Sequence, residues 1–501
     1  MVWLVVPLAY VLYFYRLGAV GLVGPDEPRY ASIARAMAQS GDWITPRLWG
    51  QPWFEKPPLL YWMSAAGFRL GWGPELGPRL PVAVLAVGFL IFFWWIVRRE
   101  FSGRAAWFAV LILGTCGEWL GYCQVAVTDV PLTVTFSAAM LLLLPWIARR
   151  ETRYLPAAGA LMGLAVLAKG LVPLALAAPV IPFLWFSQKP AGRPAVPWKG
   201  RLTVGLILFL SIAAPWYVAC YLRNGSAFLN DFFWKQHFER VVSGSLMHGQ
   251  PWWFYLPVYA AAFLPWSPLL LLLARRGAYR DPRRMFLLAW VLFGLVFFSV
   301  ALNKLPGYML PLLPPAALLA ALALDEASHA GAWLAVSAAL LAAFPIAAPM
   351  LPAALAAGLS KAPHPTFHLV WLVPGVVAAA AWILERRGRR LAAVWAIAAG
   401  AAAGMVYVKQ TALPQVDGLA SARSLWREVA PRAGETCLDQ MDRAWRYGLN
   451  YYSANSLPEC AAQPRRFSVR QSPGGPPYVA PSENGPVDPV SPSVVISPFR
   501  Y

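Results

Sequence analysis

Ionisable residues set in otherwise apolar sequence carry the first information about chemistry. The stretch LVGPDEPRYA, residues 22–31, places Asp26, Glu27 and Arg29 within four positions, directly after an apolar run. WFEKPP sets Glu55 beside Lys56, AVTDVPLTV holds Asp129, and VLAKGLVPLAL holds Lys169. FLNDFFWKQHFERVVSG brings Asp231, Lys235, His237, Glu239 and Arg240, and LNKLPGYMLPLLPP brings Lys304 and Tyr308. Charges at membrane depth are costly, so they turn to an interior cavity rather than to lipid. Carboxylates at an anomeric carbon can act as general base or stabilise developing positive charge. Lysine and arginine can hold a phosphate, arginine often bidentately. Together the two sets describe transfer of a sugar from a phosphate leaving group. The same charges would also suit the ion path of a transporter or lipid flippase. Against that reading, the chain shows no matching halves with Gly/Pro-broken helices. Each residue also has a plainly structural role open to it. Asp26 can cap a helix, Glu27 can be solvated, Lys56 can snorkel to an interface, and His237 can be an ordinary hydrogen-bonded loop histidine.

The elements that must position these residues are membrane helices. Hydrophobic residues make up 59% of the 501 and charged residues 13%, against roughly 25% charged in soluble domains. Apolar runs fall near 1–20, 81–97, 105–124, 130–148, 155–168, 171–187, 202–221, 252–274, 285–302, 308–324, 331–349, 367–384 and 391–408. Most approach the ~20 residues that cross ~30 Å of hydrocarbon. Thirteen crossings put the two ends of the chain on opposite sides. No basic n-region precedes Val2–Tyr15 and no small-residue cleavage pattern follows it, so the first run is expected to be a retained helix. The net charge of +19 is not a nucleic-acid signal, because its arginines sit between apolar runs. They follow the second, fourth, sixth, eighth and twelfth runs, which marks that side as cytoplasmic and the N-terminus with it. The odd exits, including residues 21–80 and 222–251, are long and rich in Trp and Pro. All the ionisable residues singled out above fall on that outer side.

Within the first outer loop, Pro28–Gln39 has helical spacing, with Tyr30, Ile33, Ala34 and Met37 on one face and Arg29 and Arg35 elsewhere. Asp26 stands where an N-cap carboxylate would sit, and the helix would lie along the membrane surface. Residues 1–408 are thus expected to form the membrane domain and 409–501 an outer domain. The latter is predicted to be a small α/β unit, with SLWREVAPRAGETCLDQ as helix then strand and SVVISP as another strand. Cys437 and Cys460 both lie in it, where an oxidising compartment would permit a disulfide without sequence deciding the matter. Cys116 and Cys123 are seven apart on one expected helix and suit packing, and Cys220 stands alone.

The motifs DEPRYA, GDWITPRLWGQPWFEKPPLLYW, TDVPL, LAKGLVPLAL, FFWKQHFERV and NKLPGYMLPLLPP, in that order over about residues 1–320, resemble the lipid A aminoarabinose transferases and their protein-mannosyltransferase-like relatives of the GT-C superfamily. The resemblance implies an all-α polytopic membrane protein with the GT-C fold. About thirteen transmembrane helices would be joined by interfacial helices in the first periplasmic loop and a small C-terminal α/β periplasmic domain. It implies an inverting glycosyltransferase of the bacterial inner membrane. The sugar would pass from a polyprenyl (undecaprenyl) monophosphate to a lipid or protein acceptor on the periplasmic face, without nucleic acid. Asp26 matches the first-loop acid at the catalytic centre and Asp129 a second functional acid, paired with Lys169. Lys56 matches the lysine on the lipid phosphate, with Arg240 as a second contact and Arg29 and Lys304 nearby. Glu27, Tyr30, Tyr61, Lys169 and Tyr308 are expected in support. Glu55 and His237 match positions associated with zinc, although two ligands fall short of the usual four. A monophosphate leaving group facing protein cations requires no cofactor. Residues 409–501 match no family motif, so the resemblance fixes neither sugar nor acceptor.

Overall fold

The computed structural model describes residues 2–186, 198–232, 234, 250–274, 279–472 and 475–482. In hydrocarbon every backbone N–H and C=O must be satisfied within the chain, which makes helices of the apolar runs. Among the described residues eight helices are long and apolar enough to cross a membrane: Gly73–Glu100, Asp129–Arg149, Lys199–Phe232, Pro282–Val300, Pro306–Glu326, Gly331–Ala357, Leu369–Arg386 and Arg390–Thr411. Trp252–Ala262 and Ser267–Ala274 make a ninth if counted together, bent by 114° at their junction. Trp3–Phe14, Gly103–Gly114 and Leu155–Lys169 are shorter apolar helices.

Several expected spans are therefore broken or short. The run 105–124 stops at Gly114 and resumes as Gly117–Tyr122. At the break, the Gly117 N–H donates to the Leu264 carbonyl (2.8 Å) and Trp266 Nε1–H to Thr115 Oγ1 (2.8 Å). Partners from the bent pair thus replace helical ones. Cys116 and Cys123 consequently flank a short helix instead of sharing a long one. Elsewhere small residues let helices close up. A Cβ added at Gly159 would stand 2.0 Å from the Gly205 carbonyl oxygen, and one at Gly163 would stand 2.9 Å from that of Phe209. This small-xxx-small stripe seats Leu155–Lys169 against Trp198–Leu229 as in other membrane helix pairs, and it fixes the helix that ends on Lys169.

After the last long helix the chain forms a compact α/β unit. Strand β3 (Thr436–Leu438) runs parallel to β4 (Phe467–Gln471), which pairs antiparallel with β5 (Pro477–Pro481). The helices Ala422–Val429 and Arg443–Tyr452 cover this sheet through Leu425, Val429, Trp445 and Leu449, packed with Leu438 and Val469. Helix then strand is the order expected for 424–440, while SVVISP lies outside the described residues. Cys437 and Cys460 are joined in a disulfide.

This unit docks on the first loop. Gly21 N–H donates to Asp417 Oδ1 (2.8 Å), and Leu22 N–H to the Tyr452 hydroxyl (3.1 Å). A Cβ at Gly21 would meet Ser421 Oγ at 2.1 Å, so only glycine permits the approach. Arg423 pairs with Asp417 (2.8 Å) and donates to the Ala19 carbonyl (2.5 Å). Arg443–Tyr452 has two working faces. Trp445 and Leu449 enter the unit's own core, while Tyr447 and Tyr451, also four apart, face the first loop.

Candidate functional site

The first-loop helix begins at Asp26 itself, with Pro25 before it, and runs to Ser40, where Gly41 in the left-handed region closes it. Asp26 makes no side-chain cap; its Oδ1 accepts from Arg29 Nη2 at 2.7 Å. Proline cannot supply the N–H that a preceding turn would use, so the helix starts directly after it and Asp26 occupies the first turn, where the helix dipole favours a negative charge. The helix is not a surface helix with one wet face. Glu27, Pro28, Arg29, Tyr30, Ala31, Ile33, Ala34 and Met37 are all buried, because the other first-loop helix, Leu59–Arg69, covers one side and the C-terminal helix Arg443–Tyr452 another. Arg35, off the apolar face of this helix, donates to the Tyr451 carbonyl (2.8 Å) and lies over the Tyr451 ring at 3.9 Å. Burial is the main cause holding the Tyr451 phenol at about 12, with Arg35 pulling the other way.

Glu27 is the anchor of this turn. Its carboxylate, 1% exposed, takes two bonds from Arg79 (2.7 Å each) and one each from the N–H of Val23 and Ala126 (2.9 Å each). Arg79 spends its other donors on the carbonyls of Leu17, Val20 and Gly21. One ion pair thus ties the first run, the first-loop helix, the helix Gly73–Glu100 and the turn before Asp129 together.

Arg29 is equally committed. Its Nη2 lies 2.7 Å from Asp26 and 3.0 Å from Glu55 Oε2, and the side chain is 4% exposed. Burial opposes its charge, but Glu55, Tyr30 and Asp26 outweigh that and hold the proton more firmly than usual. Glu55 also accepts from Trp53 Nε1 (3.3 Å) and stands 3.6 Å from Lys56 Nζ. Asp26, Arg29, Glu55 and Lys56 therefore form one chain of alternating charge, whose end at Asp26 is half exposed. Tyr30 and Tyr61 back it with ring centroids 5.9 Å apart. Burial first, then the neighbouring carboxylates, keep both phenols protonated well past their ordinary range.

Lys56 and Glu55 open onto a cavity of about 240 Å³. Its other wall carries Asp129, Lys169 and Tyr308, with Phe232, Phe297 and Phe298 supplying an apolar flank. Lys169 Nζ reaches Asp129 Oδ1 at 2.6 Å and sits 5.1 Å from the Tyr308 ring centroid. Asp129 starts one helix and Lys169 ends another, so each charge meets the favourable end of a helix dipole. Lys304 does not line the cavity; its Nζ turns to the Ala301 carbonyl (2.6 Å), while Ala301, Leu302 and Asn303 form the wall. Asn303 Oδ1 is buried there without a hydrogen-bond partner among the described residues. Arg240 and His237 lie outside the described residues. Zinc finds no support here, since Glu55 is engaged by Arg29, Trp53 and Lys56. No group of three or more His, Cys, Asp or Glu among the described residues could hold a metal ion.

Three contributors were not singled out in the sequence. Arg79 and Tyr447 reach the first-loop charges only through folding: Arg79 meets Glu27 across 52 residues, and Tyr447 comes from the C-terminal unit to lie 5.5 Å from the Arg29 guanidinium. Glu118, whose carboxylate oxygens are both buried without a hydrogen bond among the described residues, was visible as a lone acid in the run 105–124.

Membrane-crossing helices that gather acids and lysines into one hollow have the build of a GT-C membrane enzyme. Residues 55–218 match the family described as dolichyl-phosphate-mannose-protein mannosyltransferase. The undecaprenyl phosphate-alpha-4-amino-4-deoxy-L-arabinose arabinosyl transferase of Serratia proteamaculans is 30% identical over 400 residues, 75% of this chain and 69% of the relative. Its counterpart in Edwardsiella ictaluri is 34% identical over 334 residues, 64% of this chain and 58% of the relative. The crystal structure of ArnT from Cupriavidus metallidurans bound to undecaprenyl phosphate superposes with a TM-score of 0.75 at 30% identity, covering 91% of this chain and 85% of that one. The chain belongs to this family of arabinosyl transferases and is a membrane-embedded glycosyltransferase. Membership favours the enzyme over the transporter as the reading of the cavity charges.

Proposed function

We propose that the protein transfers a sugar, with inversion, from an undecaprenyl monophosphate carrier to an envelope lipid, lipid A foremost, at the periplasmic face of the bacterial inner membrane. The observation that carries this reading is the meeting of Lys56, Glu55, Asp129 and Lys169 in one cavity, joined through Arg29 to the half-exposed Asp26. The carrier phosphate lies against Lys56, with Arg240 as its second cation. The acceptor oxygen attacks the anomeric carbon from the opposite side, and the bond from that carbon to the phosphate oxygen breaks with its electron pair going to the phosphate. Preorganised cations stabilise the charge that develops there. Asp26 faces the acceptor; it takes the proton of an acceptor hydroxyl, or only orients an acceptor that is already an anionic phosphate. Asp129 orients Lys169. Arg29, held by two carboxylates, positions Asp26 and Glu55. The names of the Serratia and Edwardsiella relatives support aminoarabinose as the sugar, and the Cupriavidus structure supports the undecaprenyl carrier. The residue 1–408 and 409–501 regions act as the membrane catalytic domain and a periplasmic domain, with the N-terminus in the cytoplasm.

The test uses purified protein with undecaprenyl-phosphate aminoarabinose and lipid A. Asp26→Asn is expected to cut turnover by at least ~10²-fold, the usual scale for a general base, while native mass spectrometry still shows undecaprenyl phosphate bound. Lys56→Met is expected to weaken that binding. Wild-type protein that yields no modified lipid A, with the sugar appearing on a protein instead, would replace this acceptor with a protein hydroxyl.

A further inference from the structure

Tyr447 comes from the C-terminal unit and reaches the charge chain of the proposed site. Its ring lies 5.5 Å from the Arg29 guanidinium, on which Tyr30 also bears at 5.2 Å. Arg29 is thus held between two aromatic rings while its Nη2 bonds Asp26 and Glu55. Cations over aromatic faces are attracted to the ring quadrupole, most strongly where water is excluded, and Arg29 is almost fully buried.

The first loop supplies the other support for that ring. Strands β1 (Arg47–Leu48) and β2 (Gln51–Pro52) form a short hairpin. Its turn residues Trp49 and Gly50 both have positive φ, 51° and 82°. A tryptophan in that region is strained, and such strain persists only where the surroundings over-determine it. Trp49 packs against Tyr447 with ring centroids 5.5 Å apart and planes tilted by 36°. The side chain of a strained residue is therefore spent on holding the ring that holds Arg29. The Leu22 N–H on the Tyr452 hydroxyl and the Arg35 guanidinium on the Tyr451 carbonyl hold the helix Arg443–Tyr452 on the first loop, which fixes the approach of Tyr447.

We propose that Tyr447 is a positioning residue for the transfer: its ring, delivered by the C-terminal unit and clamped by Trp49, fixes the Arg29 guanidinium and through it the placement of Asp26 and Glu55. The proposal rests on the sugar-transfer reading above. It ties the C-terminal unit to the reaction centre even though none of its described residues lines the cavity.

The experiment compares Tyr447→Leu and Tyr447→Phe in the full-length protein, with undecaprenyl-phosphate aminoarabinose and lipid A as substrates. Tyr447→Leu is expected to lower kcat about ten-fold, the rate equivalent of one desolvated cation–π contact, with the donor KM unchanged. Tyr447→Phe keeps the ring and is expected to keep kcat within about two-fold, on the view that the ring face supplies the attraction. Undiminished kcat in Tyr447→Leu, an equal loss in Tyr447→Phe, or a loss that vanishes once activity is scaled to folded protein would each overturn the proposal. If Tyr447→Leu does not fold, Trp49→Leu takes its place, with the same fall in kcat expected and unchanged kcat refuting. Hydrogen exchange over residues 26–40 tests the positioning apart from turnover: faster in Tyr447→Leu and unchanged in Tyr447→Phe. Absence of product from wild type would defeat the sugar-transfer reading alone, and the exchange comparison would still decide whether Tyr447 holds Arg29.

Discussion

Glu27→Gln is the most demanding test of the first-loop architecture. The substitution changes almost no volume, so any effect comes from charge and hydrogen bonding. In the native site the two Glu27 oxygens accept four N–H groups, two from Arg79 and one each from Val23 and Ala126. Glutamine retains one oxygen and presents an NH₂ in place of the other. Two of the four donors, one from Arg79 and one backbone N–H, then face hydrogens, while Arg79 keeps one bond to the glutamine oxygen and the carbonyls of Leu17, Val20 and Gly21. Each unsatisfied buried donor costs ~1–3 kcal/mol, and breaking a buried ion pair by removing one partner costs ~3–5 kcal/mol. The expected loss is therefore ~3–5 kcal/mol, roughly two to four orders of magnitude in the unfolding equilibrium. Equilibrium unfolding in mixed micelles with increasing sodium dodecyl sulfate would measure it. Arg79→Met and the double variant complete a cycle. The double variant should cost less than the sum of the singles by ~1 kcal/mol or more, because the second change removes a charge that the first left stranded. Wild-type stability in Glu27→Gln, or strict additivity in the cycle, would mean that the pair does not tie these segments together.

Three more expectations concern other parts of the molecule. Lys169→Met and Asp129→Asn should each lower kcat by ~10²-fold, the lower end for groups acting on developing charge, and the double variant should be little worse than either single, as expected when two residues act as a unit; steady-state kinetics on lipid A would show it, and multiplying losses would refute it. Replacing Cys437 and Cys460 by serine opens a loop of 23 residues, worth ~3 kcal/mol on the chain-entropy account, so limited proteolysis should cut the C-terminal unit before the membrane helices, and equal protease resistance would refute it. Tyr451 holds its proton to about 12 in the folded protein, whereas an unfolded tyrosine releases it near ~10. Its contribution is fully present below pH ~10 and is lost as pH rises toward ~12; thermal unfolding across that window should fall more steeply in wild type than in Tyr451→Phe.

What was legible in the sequence and what was not divides along physical lines. Asp129, Lys169 and Lys56 stood out because a charge in apolar surroundings is conspicuous in one dimension, and the structure brings all three to one cavity. The helix carrying Asp26 was also visible, since its period is local. Its environment was not. Arg29 and Arg35 count as polar in any helical pattern, and only the docked C-terminal unit, more than 400 residues away, turns them inward onto Tyr447 and Tyr451. Glu27 was expected in support, with a solvated role left open, because its partner Arg79 lies on another helix. Breaks within the expected spans were not legible for a related reason. Hydropathy registers that residues 105–124 are apolar but not that Leu264 and Trp266 offer replacement hydrogen bonds that let the helix break after Gly114. Local periodicity thus locates charges along the chain, whereas the burial of a charge is a property of whatever packs on it. In this protein the packing element is the C-terminal unit, the segment that matched no motif. A region selected for its shape against Gly21, Arg29 and Arg35 has no need to preserve a chemical signature of its own. Its contribution is legible only as contacts: one glycine with no room for a Cβ, and two tyrosines four residues apart on the face opposite its own core.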